Sequence, residues 1–596
     1  MNLLQSKITS FWRKLKSARP FFDFRHMFKK TLSQGEIDKR LVYSLSPHKI
    51  PNRRQFKHLK RFLNPREALI IKICLLVILI NAGYLGFIFL KNRIQYLPIS
   101  GGEYIEGLVG YPKTINPLYA VNRDVDSDLS ALIYSRLFKY DKNGVLVNDL
   151  VDTFEIKEGG KEYIVKIKDN VQWHNGEKLN ADDIIFTFNL IKNPDYRSPL
   201  RSAVSIANIE KIDELTIKFS LSEPYAPFLD ILTFGILPKN LWENISSSAA
   251  VLSDLNLKPI GSGPYKFKSL VKNKIGDLKE YKLEINDNYY GQKPYLKNIS
   301  FIFFPDYQTA ISALNNKQIA GLSYLPLALR QEALAKDSLN FYNLSQPQIV
   351  SLFFNGSKNK ILAEKDVRIA LNKAIDKDRI ISDIFQGTHT RADGPIPDKN
   401  LAYNQNITKY NYSPAESSEE VKDKAVKIVL TVIDSGANVA VAEKIKEYWS
   451  AIGVETTLNI ITGERSSDII KNRDFEVLLY GESIGGDPDV YVFWHSSQAG
   501  SKGLNLAGYN NSEADKLLEE ARISINAEER ITKYKKFQEI ITADLPVIFL
   551  YSPSYTYVQS HDLKGFGGTA IIEPSDRFSG VSDWYLKTKK KLTHKI

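Results

Sequence analysis

Residues Gly481-Glu482-Ser483-Ile484-Gly485 spell G-x-S-x-G, a pattern that can present a serine as a nucleophile when it follows a strand. Ser483 would then attack an acyl group, with His495 or His561 as the base. That chemistry needs a helix directly after the serine, and Gly485, Gly486 and Pro488 oppose one. The remaining chemical signals are sparser. His174, His389, His495 and His561 stand isolated, without H-x-x-x-H spacing or a cysteine partner, so no metal site is expected. Asp124-Val-Asp-Ser-Asp128 opens like a calcium loop, but Leu129 stands where glycine is required and Ser135 where glutamate closes the site; a helix start is expected there. No glycine-rich phosphate loop occurs, so any ATPase must be another chain, and no cofactor is expected. None of these patterns predicts a catalytic site that its neighbouring residues support.

The elements around these residues alternate. Apolar, β-branched runs predict strands at Tyr163 to Ile167, Leu215 to Phe219, Ile299 to Phe304, Val350 to Phe354, Ile428 to Ile433 and Phe475 to Tyr480. Helical periodicity lies between them. Val367, Ala370, Leu371, Ala374 and Ile375 share one face of a helix over 364–380, and further helices are predicted at 438–452, from Ser512 to about Ile523, and at 527–543. Ser512 and Asp515 form a capping-box pattern, and 400–424 reads as a surface loop. Single strands separated by helices indicate α/β architecture.

One stretch differs from all others. Residues 68–90 hold one charge, Lys72, and from Ile73 to Leu90 none. At ~1.5 Å per residue this run can cross a hydrocarbon core of about 30 Å. Residues 1–67 carry 17 Lys and Arg against four acidic residues, whereas the remainder holds 63 basic and 64 acidic residues. The basic flank marks the cytoplasmic side, so residues 91–596 are expected outside. The net charge of +12 is a property of the first segment, which argues against a nucleic-acid partner and for membrane topology. No Ala-x-Ala site follows the run, so an uncleaved single-pass anchor is expected, and Cys74, near its start, is not placed for lipidation.

The wording of the external part resembles family 5 solute-binding proteins, the extracytoplasmic receptors of peptide, dipeptide and nickel ABC importers. Trp173-His-Asn-Gly-Glu-Lys-Leu-Asn-Ala-Asp-Asp183 is similar to the family's W-H-D-G-x-P-L-T-A-x-D stretch. Ile115-Asn-Pro-Leu118, Asp149-Leu-Val-Asp-Thr-Phe154, Pro259-Ile-Gly-Ser-Gly-Pro-Tyr265, Asn286 to Pro294, Val367 to Asp376 and Asp487-Pro-Asp489 follow in family order. The resemblance implies a bilobed periplasmic-binding-protein-like fold (type II, cluster C) behind one N-terminal transmembrane helix. The expected organisation is a cytoplasmic segment 1–67, an anchor 68–90, a stalk 91–103, a discontinuous first lobe 104–346 with 547–590, and a second lobe 347–546. It also implies a peptide or other small solute bound between the lobes, and delivery to ABC permease and ATPase subunits. A ligand-sensing receptor of the same fold is the alternative. Dipeptide receptors pair an acidic residue with the ligand's amino group. The ungapped position here is Ile484; Glu482 is the first acidic candidate and Asp487 the second. Tyr480, Gly481 and Trp494 flank them, and Val121 and Asn122 align where the first lobe offers backbone to the ligand.

Overall fold

Pro65 opens a 29-residue helix, Pro65–Arg93, in the computed structural model, which describes residues 34–36, 38–39, 63–334 and 338–592. Proline suits the first helical turn because its missing N–H has no partner there. Glu67, in the same turn, accepts the Asn64 backbone N–H at 3.1 Å and the Lys39 ammonium at 3.1 Å. Leu75 to Ile80, Tyr84, Leu85 and Phe87 present their side chains outward, and an 18-residue stretch within Pro65–Phe89 has a mean hydropathy of 2.4. The helix is long and apolar enough to cross a membrane. Residues 91–103, expected as a stalk, contain strand Ile94–Ile99, which pairs with Lys587–Leu592. The basic segment 1–67 lies almost wholly outside the described residues.

Residues 97–589 form a separate compact unit built on two mixed sheets. The seven-stranded sheet runs in the order Leu339–Ser345, Ser554–Ser560, Gly321–Leu322, Glu103–Val109, Asn298–Phe304, Leu278–Ile285, Tyr265–Lys272. The six-stranded sheet runs Thr390–Arg391, Val547–Ser552, Gln348–Phe354, Val477–Ser483, Lys427–Ile433, Glu455–Ile461. A four-stranded antiparallel sheet over Val151–Leu221 adds to the first body. In the central strand Gln348–Phe354 every residue from Ile349 onward is buried, because the sheet is covered on both faces. Val350, Leu352 and Phe354 enter one core, while Ile349 and Phe353 enter the other.

The chain crosses between the two sheets twice. Strand Leu339–Ser345 leads through Gln346-Pro347 into Gln348–Phe354, and Val547–Ser552 leads through Pro553 into Ser554–Ser560. Gln346 N–H donates to the Pro553 carbonyl at 3.3 Å, and Ser552 Oγ to the Gln346 carbonyl at 3.2 Å. The second crossing therefore lies at Pro553, not at the expected 546/547 boundary, because Val547–Ser552 pairs with Gln348–Phe354 in the six-stranded sheet.

Local differences have simple causes. The helix expected over 364–380 is two, Lys365–Lys373 and Lys377–Phe385, since Asp376 leaves helical geometry and caps Arg379 N–H at 3.0 Å. Asn511, not Ser512, caps helix Ser512–Ile523, accepting the backbone N–H groups of Glu513 and Ala514. Residues 400–424 contain helix Pro414–Val421. Asp124 to Asp128 begins helix Asp124–Ile133, as expected.

The first body encloses an ion cluster. Arg577 donates to Glu106 Oε1 at 2.7 Å and to Asp128 at 2.5 and 2.6 Å, all three side chains being essentially without solvent. It ties the C-terminal segment to strand Glu103–Val109 and helix Asp124–Ile133.

Candidate functional site

Strand Val477–Ser483 carries the expected site residues to the edge of the second body. Its register sets Gly481 opposite Val350, Glu482 opposite Ile349 and Ser483 opposite Gln348. Leu478 and Tyr480 pack into the core under helices Ser512–Ile523 and Ala527–Asp544, and period-two alternation puts Glu482 on that same face. A side chain at Gly481 would meet Gln348 Nε2 at 2.7 Å, so the Gln348 side chain lies directly over this glycine. Glu482 is 7% exposed, and its Oε1 has no hydrogen-bond partner among the described residues. Burial pushes its carboxyl well above the usual range, and Arg473 only partly opposes this.

The loop after the strand meets the first body. Gly485 adopts φ +74°, and Ile484 N–H donates to the Pro347 carbonyl at 2.8 Å. A Cβ on Gly486 would lie 2.4 to 2.6 Å from the Tyr140 ring, so glycine permits this approach. Tyr140 donates to Asp230 Oδ1 at 2.5 Å. Asp487 takes both oxygens to Arg530, at 2.7 and 2.9 Å. Asp489 pairs with Arg522 Nε at 3.1 Å and accepts the Tyr225 hydroxyl at 3.4 Å, while the Arg522 guanidinium lies 5.1 Å from the Tyr225 ring centre. Ala226 N–H donates to the Arg522 carbonyl at 2.8 Å. Tyr140, Tyr225, Ala226 and Asp230 come from the first body; the glycine loop, Arg522 and Arg530 come from the second. Beside this contact lies a small cavity of about 50 Å³ whose lining includes Asn143, Gln346, Pro397, Asn400, Gly485 and Gly486.

Asp230 is pushed up to about 6, first by burial and then by the Asp487 charge. Its carboxyl is therefore more easily kept neutral in the folded protein than in the unfolded chain. The contact gains as pH falls toward the ordinary carboxylate value of 3.8 and is weakened as pH rises through about 6. Asp230→Asn is expected to flatten the pH dependence of thermal stability between about 4 and 6; an unchanged profile in that window would contradict this.

Several expectations change. Trp494 is 2% exposed and packs between Phe353 and Phe549, so it is core and not a ligand contact. Asp487 is already paired with Arg530, which removes it as a free partner for a ligand cation. Val121 and Asn122 are exposed in the short helix Ala120–Asn122, and Asn122 lines another pocket with Lys113, Tyr119 and Asp126. The hydrolase reading has no support: Ser483 ends a strand followed by a loop, and His495 is engaged with Ser497 Oγ at 2.8 Å and Glu519 at 3.2 Å. Tyr140, Tyr225, Asp230, Arg522 and Arg530 had no sequence signal beyond residue type, because their partners lie far away in the chain.

The sequence profile of bacterial extracellular solute-binding proteins, family 5 Middle, matches residues 145–503. The chain belongs to the family 5 solute-binding proteins. This family 5 protein is 27% identical over 517 residues to the oligopeptide-binding protein AppA of Bacillus subtilis, covering 82% of this chain and 92% of that protein. It is 25% identical over 510 residues to the dipeptide-binding protein of Escherichia coli, covering 79% and 93%. Among solved structures, AppA from Bacillus subtilis in complex with a nonapeptide superposes with a TM-score of 0.63 at 27% identity, over 82% of this chain and all of that one. NikZ from Campylobacter jejuni in complex with Ni(L-His) gives 0.64 at 25% identity, over 81% and 99%. The α/β periplasmic-binding-protein-like fold is thus common to relatives with different ligands.

Proposed function

We propose that this chain is the membrane-anchored, extracytoplasmic substrate-binding protein of an ABC importer, and that it captures a peptide between two lobes. The lobes would be the body on the seven-stranded sheet and the body on the six-stranded sheet, with Gln346-Pro347 and Pro553 as the hinge. Two short crossings restrict relative motion to a hinge-like opening and closing. The peptide assignment draws on the oligopeptide- and dipeptide-binding relatives. The observation that carries it is Glu482: a buried carboxyl with one unpartnered oxygen, one residue from the loop that meets the other body. Such a group is costly unless a ligand satisfies it, and a peptide amino-terminus supplies both the charge and the donors. The reading is tested by calorimetry of the full chain with dipeptides and oligopeptides, free and amino-acetylated. Binding only of the free-amine peptides is expected; equal binding of acetylated ones would overturn the amino-terminus assignment.

The anchor reading is supported by the outward apolar surface of Pro65–Phe89 together with the basic flank. The membrane-bound protein is expected to retain residues before Pro65 on N-terminal sequencing. A mature N-terminus near residue 100 would contradict it.

A further inference from the structure

The sequence Lys587-Thr-Lys-Lys-Lys591 places four lysines in five residues, and the helix Pro65–Arg93 ends on Lys91-Asn-Arg93. Strand Ile94–Ile99, which leaves that helix, pairs with strand Lys587–Leu592. Lys590 Nζ lies 6.0 Å from the ring centre of Tyr96, which is 58% exposed. Tyr96 is three residues beyond Arg93, about 10 Å along the strand at ~3.3 Å per residue, so with its ammonium 6.0 Å from the Tyr96 ring centre Lys590 stands within about 20 Å of the helix end. That is roughly two to three Debye lengths at physiological salt, about 8 Å each. Lys91, Lys587, Lys589, Lys590 and Lys591 are exposed, and none forms an ion pair among the described residues. Elsewhere on the unit 97–589 exposed lysines stand beside acids, as Lys211 does with Asp182 and Glu214.

We infer that the Lys587–Leu592 strand is a membrane-surface contact that binds anionic lipid head groups where the anchor helix emerges. The inference rests on the anchor reading above. Tyr96 is the residue type that settles at the interface, and lysines at that depth are attracted to anionic phosphate. The contact would fix the C-terminal strand against the bilayer as well as the anchor.

The test uses the full chain in lipid nanodiscs, either zwitterionic or with anionic phosphatidylglycerol added. Amine-reactive labelling is read by mass spectrometry at each lysine. Labelling of Lys587, Lys589, Lys590 and Lys591 is expected to slow at least threefold in the anionic discs. Lys279 and Lys502, exposed elsewhere, should keep their rates, and high salt should abolish the difference. Equal rates in both discs, with the protein retained in them, would overturn the lipid contact while leaving the anchor intact. Failure of the chain to remain with the discs would overturn the anchor itself, and with it this inference.

Discussion

Arg577→Met is expected to destabilise the folded protein by about 3–5 kcal/mol, because it strands Glu106 and Asp128 as unpaired acids in the core. The cluster is closed on all sides. Tyr557 donates to Glu106 Oε2 at 2.6 Å, Gln559 to the Tyr557 hydroxyl at 2.8 Å, and the guanidinium lies 4.2 Å from the Phe578 ring centre. Water cannot replace the lost donors there without opening the sheet. Chemical denaturation of the variant is the measurement. The combined variant Glu106→Gln, Asp128→Asn, Arg577→Met removes all three charges and should recover much of the loss, since a buried ion cluster gains little net stability over a neutral one. A single variant as stable as the native chain would show that the cluster is not the structural tie described.

Glu482→Gln is expected to weaken ligand binding by roughly 2–5 kcal/mol, about 30-fold to several thousand-fold, if its carboxylate pairs with a ligand cation away from water. The unliganded protein should not lose stability, because the amide keeps the shape and removes a group that burial already disfavours in its charged form. The pH dependence follows from the same shift. The raised carboxyl stays neutral to higher pH than an ordinary glutamate, and only its charged form attracts a cation. Native affinity should therefore rise with pH as Glu482 ionises, and the variant should lose that dependence. A variant that binds within about threefold of the native chain, with the same pH profile, would remove Glu482 from the site.

Much of the fold is legible in the sequence because it is local. The strand runs at 299–304, 350–354 and 428–433 fall within observed strands, and that at 475–480 overlaps Val477–Ser483 from its third residue, since an apolar β-branched run buried on both faces has few other solutions. Asn175-Gly176 turns as its residues demand, with Gly176 at φ +91°. The site is less legible because its geometry depends on distant residues. Asp487 and Asp489 stand out in sequence, but the arginines that pair with them lie on helices Ser512–Ile523 and Ala527–Asp544, and nothing in those helices marks Arg522 or Arg530 among their other charges. Trp494 reads equally well as an aromatic wall for a ligand or as core, and only the Phe353 and Phe549 contacts decide. The second crossing was misplaced for a related reason. Val547 to Ser552 is buried at every position, and only pairing with Gln348–Phe354 assigns it to the six-stranded sheet.

The central proposal is that the protein captures a peptide between its two bodies, with Glu482 holding the peptide amino-terminus. Native mass spectrometry of the full chain, purified in detergent without added ligand, tests it most directly. The account predicts adducts whose released species sequence as short peptides with free amino-termini, lost in Glu482→Gln. Release of a metal complex or another non-peptide solute, retained undiminished in that variant, would contradict it.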